Sequence, residues 1–200
     1  MKLITYSEWK KLCSSHSVEH AITALDKNCI FDFTMNNGDK EQLLYLNKVL
    51  FSKRPDVRLS IYPVDIMEMA SKRYVYTKND FETLSQLNHV EKLHIVLNAK
   101  PDFEILPLFD SIRDLYLSIG VKMDLQLLNK FPNVDTLSLQ GKFNEVSSLL
   151  HLQQLSSLSR SDFKEIAFYP LKDVRLKTVH FRSCVMSDSL SPLLSESVEY

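Results

Sequence analysis

Glycine is scarce, with three in 200 residues. A phosphate-cradling loop needs glycines close together so that backbone N–H groups can reach the anion, so a nucleotide-binding loop of that kind is excluded. Cysteine is equally sparse. Cys13, Cys29 and Cys184 are odd in number and far apart, which argues against a disulfide framework and for reduced thiols. Neither sign of charge prevails: 24 basic and 25 acidic residues leave a net charge of −1. No basic stripe is present to displace counterions from a phosphate backbone, which argues against a nucleic-acid partner. No apolar run nears the roughly 18–20 residues needed to cross a bilayer. The start, MKLITYSEWKK, has neither the apolar core nor the small-residue cleavage site of a secretory signal. A cytoplasmic protein without membrane contact is expected. No Ser-centred nucleophile elbow occurs either.

What the sequence holds instead is a period. In VEKLHIV, SIRDLYLSIG, VDTLSLQ and LKTVHFR, apolar residues alternate at two-residue spacing. With the first of each alternating pair as anchor, the series runs Leu93, Leu115, Leu137, Leu158 and Val179, at nearly constant intervals. Three before each anchor stand Val90, Ile112, Val134, Leu155 and Leu176. Two after stand Ile95, Leu117, Leu139, Arg160 and Phe181, so Arg160 is the one polar member of the three columns. Six before, Leu87, Phe109, Phe131 and Leu152 continue the pattern until Asp173 breaks it. Alternation means a short strand with one buried face. A regular return of that strand at this interval means one coil of a solenoid, whose apolar edge is covered only by its neighbours. Leu115 and Leu117 should point inward and Tyr116 outward.

The L-x-x-L-x-L pattern resembles the leucine-rich repeat, in its irregular, short form of about 22 residues, of a bacterial type. The resemblance covers about residues 85–185. It implies an α/β solenoid, with a curved parallel sheet on the concave face and helices and loops on the convex face. It also implies an Asn or Cys five after the anchor that bonds free backbone groups in the turn. Asn98 and Cys184 fit that place, while Gly120, Lys142 and Phe163 hold it in other units. Further back, Phe31, Phe33 and Asn36 fit the same frame, and VRLSIY offers Leu59 and Ile61 one longer step on. Between them, DKEQLLYLNKVLF has helical spacing, which predicts a helix from near Gly38–Asp39 to the Lys53-Arg54-Pro55 stop. SKRYVYTKND is expected to be an insertion or long loop.

The segment before Cys29 differs. SEWKKLCSS and SVEHAITALDK each open on a Ser suited to N-capping, which predicts two short helices. The expected organisation is an N-terminal helical cap (1–28), a leucine-rich repeat solenoid (29–185) and a C-terminal cap or tail (186–200). Gly38, Gly120 and Gly141 each follow a predicted strand, where tight turns favour glycine.

One string invites an enzymatic reading. His16-Ser17-Val18-Glu19-His20 matches H-x-x-E-H, in which two His on one helix bind zinc and Glu assists a water. Ser17 looks like a helix N-cap, however, which would leave His16 outside the helix. Two surface imidazoles at a helix start are expected, with no enzyme, metal or cofactor. Cys184 reads as a turn thiol and Cys13 as core.

The outward row of the strands remains. Its middle places are Asp32, Ser60, His94, Tyr116, Ser138, Ser159 and His180. His94 and His180 are about four coils or roughly 20 Å apart, too far to share a metal, and solvated rings are the ordinary case. The expected contact residues for a protein partner are Arg58, Tyr62, Lys92, His94, Asp114, Tyr116, Ser138, Gln140, His180 and Arg182. Such a face suits a protein-binding scaffold. An immunity protein that neutralises a bacterial toxin domain is its most specific form, and a substrate-recognition adaptor is the alternative.

Overall fold

Among the described residues, eight parallel strands lie side by side in chain order. The computed structural model describes residues 2–35, 40–64, 74–102, 104, 106–143, 152, 155–161 and 177–182. Asn36, Gly38–Asp39, Phe163, Asp173, Leu176, Cys184 and the expected terminal segment 186–200 lie outside the described residues. The elements are β1 (Leu3–Thr5), α1 (Tyr6–Ser15), α2 (Val18–Thr23), β2 (Ile30–Thr34), α3 (Lys40–Leu46), β3 (Arg58–Tyr62), α4 (Lys78–Ser85), β4 (Lys92–Leu97), β5 (Asp114–Met123), β6 (Thr136–Phe143), β7 (Ser157–Ser161) and β8 (Thr178–Arg182).

The anchors form one column. Leu59 pairs with Leu93, Leu93 with Leu115, Leu115 with Leu137, Leu137 with Leu158, and Leu158 with Val179. The columns three and six places earlier are buried as well, through Val90, Ile112, Val134 and Leu155, and through Leu87, Phe109, Phe131 and Leu152. Phe109 and Phe131 stack face to face at 4.7 Å. The backbone repeats with the side chains. The carbonyl of Glu91 accepts from the N–H groups of Arg113 and Asp114, that of Arg113 from Asp135 and Thr136, and that of Asp135 from Ser156 and Ser157. Each coil thus carries both the apolar edge and the backbone donors that its predecessor lacks, as a stacked array requires.

The four described α-helices and the 3₁₀ helix Leu125–Lys130 all bury residues in the core that these columns form, including Trp9, Ile22, Leu46, Phe81 and Leu128. Trp9 meets Phe31 edge-on at 6.5 Å, and Phe31 meets Phe51 at 6.3 Å. Among the described residues, the opposite face of the sheet is therefore left without a helix.

Several local expectations change. The segment read as two helices also supplies a strand: β1 pairs with β2, matching Ile4 with Phe31. The cap of α1 is Thr5, not Ser7, because Glu8 stands three places after Thr5 and completes a reciprocal capping box. Ser17 does cap α2. The helix after β2 runs as expected from Lys40, and its last turn, Asn47–Phe51, widens to a π-turn. There Asn47, buried, donates to the Gln86 carbonyl and to Asn88 Oδ1 and accepts from His89 N–H, which ties it to the next coil. Arg54 holds Asp56 through two nitrogens and donates to the carbonyls of Ile22, Leu25 and Asp26, filling acceptors that the end of α2 leaves open.

The end of the expected loop SKRYVYTKND is the start of α4, capped by Thr77 and Asp80. Gly120 and Gly141 lie inside β5 and β6 rather than in turns. Gly141 pairs with Ile119 at φ +114°, and a Cβ there would sit 2.1 Å from the Ile119 carbonyl oxygen. Close approach of two backbones, not a tight turn, is what requires glycine at 141.

Candidate functional site

The face that no described helix covers is built on register. Asp32, Ser60, His94, Tyr116, Ser138, Ser159 and His180 pair strand to strand along one row. Beside it, Arg58 pairs with Lys92, Lys92 with Asp114 and Asp114 with Thr136. Most of the expected contact residues come together across β3–β6. Tyr62 meets the His94 ring edge-on at 5.8 Å, His94 stacks on Tyr116 at 4.3 Å, and the Tyr116 hydroxyl donates to Gln140 Oε1 at 2.7 Å. Ser118 Oγ donates to the same oxygen at 3.4 Å. Arg58 reaches past Lys92 to pair with Asp114, and Lys92 Nζ donates to Asn28 Oδ1 at 3.2 Å. Ser138 lies beside Tyr116. His180 and Arg182 are exposed on β8, two strands beyond β6.

Two residues of the row matter more than their absence from the expected contact set suggests. Ser60 is fully buried. Its hydroxyl bonds the Asp32 carboxylate, and its oxygen lies 2.9 Å from His94 Nδ1. A hydroxyl has one proton to give; with that O–H donated to the Asp32 carboxylate, His94 Nδ1–H donates to Ser60. His94 Nε2 and Asp32 Oδ1 are buried and have no partner among the described residues. A signal for this cluster was available, because 32, 60 and 94 are equivalent middle places once the coils are aligned.

His94 is thus not the solvated ring that was expected, whereas His180 is exposed. Burial, aided by the charge of Arg58, lowers the His94 pKa to about 4. Burial raises that of Asp32 to about 6, against a smaller opposing effect of the Ser60 hydrogen bond.

The two shifts act on stability with opposite sign. Asp32 holds its proton more tightly in the fold than in the unfolded chain, so its contribution improves as pH falls from about 6 to 3.8. His94 holds its proton less tightly, so its contribution is lost as pH falls from 6.5 to about 4. Between pH 4 and 6 they cancel. Asp32→Asn is expected to stabilise the protein at pH 7 by about 1–2 kcal/mol, taking 1.36 kcal/mol per pH unit and discounting for solvent that still reaches part of the side chain. Relative to the native chain, this variant should weaken on acidification from pH 6.5 to 4. His94→Gln should instead strengthen from pH 6 to 4. Urea unfolding across pH checks both slopes, and parallel curves for all three proteins would refute the assignment.

The other candidates do not assemble. His16 ends α1 in an extended conformation, and Ser17 begins α2, so the single helix needed by H-x-x-E-H is broken between the two imidazoles. Their rings stack at 4.4 Å with planes 16° apart, an arrangement in which ring lone pairs do not converge on one ion. Among the described residues, no group of three His, Cys, Asp or Glu side chains could hold a metal. Cys13 packs against the core, and Cys29 is buried with its thiol pKa raised by burial. Asn98 Oδ1 accepts from Tyr74 N–H, so it holds the segment before α4. A gap of about 10 Å³ lies inside the coils among Phe81, Leu84, Leu93, Ile95 and Phe109, apolar and roomy enough for about one water. No helix among the described residues is long and apolar enough to cross a membrane.

No family model matches the sequence, and no curated protein matches it. Among solved structures the chain is similar to an internalin C2 from Listeria monocytogenes, with 20% identity, 59% of this chain and 70% of that chain covered, and a TM-score of 0.36.

Proposed function

We propose that this chain is a non-enzymatic scaffold that binds a partner protein through the face of its sheet that no described helix covers, centred on β3–β6. The observation that supports this reading is the connected run Tyr62–His94–Tyr116–Gln140 on a face that no described helix covers. Tyr116 is held from both sides, by the His94 ring and by Gln140, so little rotamer freedom is left to lose on association. Tyr and Arg make effective anchors because they combine contact area with directional bonds. In this reading Arg58, Lys92 and Asp114 serve mainly to fix the face, and Ser138, His180 and Arg182 extend it toward β8.

The finer form of the reading is an inhibitor that neutralises a bacterial toxin domain; a gene for such a toxin beside this one would favour it. The partner is to be identified by mass spectrometry after pull-down from the native cell, and its affinity then measured. Tyr116→Ala is expected to weaken that affinity by more than about 1 kcal/mol, about fivefold or more. An unchanged affinity in a folded variant would move the contact to the N-terminal helices or the helical side.

A further inference from the structure

The run Asp32–Ser60–His94 does something that a contact surface alone does not need. Three polar side chains from three adjacent strands are linked in one line. The line ends at both sides in buried atoms without partners among the described residues, Asp32 Oδ1 and His94 Nε2. It is not a nucleophile's arrangement. Ser60 lies in the middle, between acid and imidazole, and its residue is 0% exposed, so no substrate can reach the hydroxyl.

We propose that Asp32, Ser60 and His94 form a proton-controlled hydrogen-bond chain beneath the uncovered face, in which uptake of one proton reverses the direction of both hydrogen bonds and turns His94 Nε2 from an acceptor into a donor. The protons balance as follows. In the anionic state Ser60 O–H donates to the Asp32 carboxylate and His94 Nδ1–H donates to Ser60. One proton then enters at Nε2, the Nδ1 proton passes to Ser60 Oγ, and the Ser60 proton passes to Asp32. The result is a neutral carboxylic acid that donates to Ser60, a hydroxyl that donates to Nδ1, and a neutral imidazole with its proton on Nε2. Net charge on the chain goes from −1 to zero, and both hydrogen bonds survive.

The surroundings favour this over an Asp⁻–imidazolium pair. Arg58 stands on β3 beside the ring and is bound to Asp114 of β5, and its positive charge opposes a second one on His94. Lys92 on β4 is engaged by Asn28. Tyr62 and Tyr116 flank the ring as neutral aromatics. On the far side Thr5 of β1 is the strand neighbour of Asp32, and the acidic group near it, Glu8, is bonded to Thr5. Among the described residues Asp32 therefore has no cation to keep it ionised, and its proton affinity, raised to about 6, exceeds that of His94, lowered to about 4. A ring that changes between acceptor and donor in the middle of the Tyr62–Tyr116 run couples pH to the hydrogen bonding beneath that face. The chemistry of the chain stands whether or not the face binds a protein.

The test needs only the protein, uniformly labelled with ¹⁵N and ¹³C. Long-range ¹H–¹⁵N correlation separates the Nδ1–H tautomer, the Nε2–H tautomer and the imidazolium, and ring-to-backbone correlation in the same native sample assigns His94. The native protein is expected to show the Nδ1–H form above pH 7 and the neutral Nε2–H form after a transition near pH 6, at the same pH as the ¹³C-observed titration of the Asp32 carboxyl. Ser60→Ala, which cuts the line, should abolish that change while leaving the fold intact, and Asp32→Asn should hold one tautomer from pH 5 to 8. Direct passage of the native ring to imidazolium near pH 6, a constant tautomer from pH 5 to 8, or a native-like response in Ser60→Ala would each overturn the proposal. The first two readouts come from the native chain, so they decide the matter even if a variant fails to fold.

Discussion

Leu115→Asp is expected to unfold the protein. Leu115 has no exposed surface and sits in register between Leu93 and Leu137. Removing a buried leucine side chain of this kind costs about 2–5 kcal/mol. Placing a carboxylate there adds a desolvation penalty of several kcal/mol, because both strand neighbours are leucines and offer it no cation. The sum reaches or exceeds the roughly 5–15 kcal/mol that stabilises a typical domain. Ser138→Asp is the control. Its position is one strand on, in the outward row beside Tyr116, and it should change stability by about 0.5 kcal/mol or less. Circular dichroism and urea unfolding separate the outcomes. A folded, cooperative Leu115→Asp protein, or equal damage from Ser138→Asp, would refute the assignment of inward and outward positions.

That pairing of substitutions marks what was legible in the sequence. The columns through 93, 115, 137, 158 and 179 could be read because each coil leaves the same positions to its neighbour and frees the rest. The outward row follows from the same register, which brings Arg58, Tyr62, His94, Tyr116 and Gln140 onto one face. Features that depend on one local contact were not legible. Strand β1 is very short and buries only Ile4, too little for alternation to stand out, although Ile4, Phe31 and Leu59 follow one another at nearly equal intervals. Gly120 and Gly141 suggested turns because glycine usually permits a bend, whereas at 141 it permits two backbones to approach. Helix α4 was hidden by its small apolar content, and its signal was Thr77 with Asp80 three places on. In the site, spacing placed His94 in the row but could not show that Tyr62, Tyr116 and Ser60 enclose it, since enclosure depends on side-chain reach.

The face and the core also use buried carboxylates differently. Asp32 has one donor, Ser60, and an oxygen without a partner among the described residues. A carboxylate that costs stability where it stands fits a role in the face better than a role in supporting the fold.

Asp80 provides the contrast, and Asp80→Ala is expected to cost about 3–5 kcal/mol. The side chain is buried at the start of α4. Its Oδ2 accepts from Thr77 N–H at 2.7 Å, from the Tyr74 hydroxyl at 2.8 Å and from Thr77 Oγ1 at 2.9 Å, while Oδ1 faces Lys40 Nζ at 2.5 Å. Burial by itself would raise its pKa, but Lys40, Thr77 and Tyr74 together outweigh burial and hold it below the ordinary value. A lowered carboxyl pKa contributes stability that is present above the unfolded value and is lost as pH falls through the folded one. Truncation removes a helix cap, leaves the Tyr74 hydroxyl without its acceptor and separates α4 from the first residue of α3. Lys40 keeps some access to water, with its side chain 27% exposed, which holds the loss within that range rather than above it. Asp80→Asn, which retains oxygen and shape but not charge, should lose about half as much and should flatten the acid limb of the stability curve. Urea unfolding at pH 7 therefore ought to give opposite signs for the two Asn variants, Asp32→Asn stabilising and Asp80→Asn destabilising. Equal signs would mean that the partners around these two carboxylates do not govern their energetics.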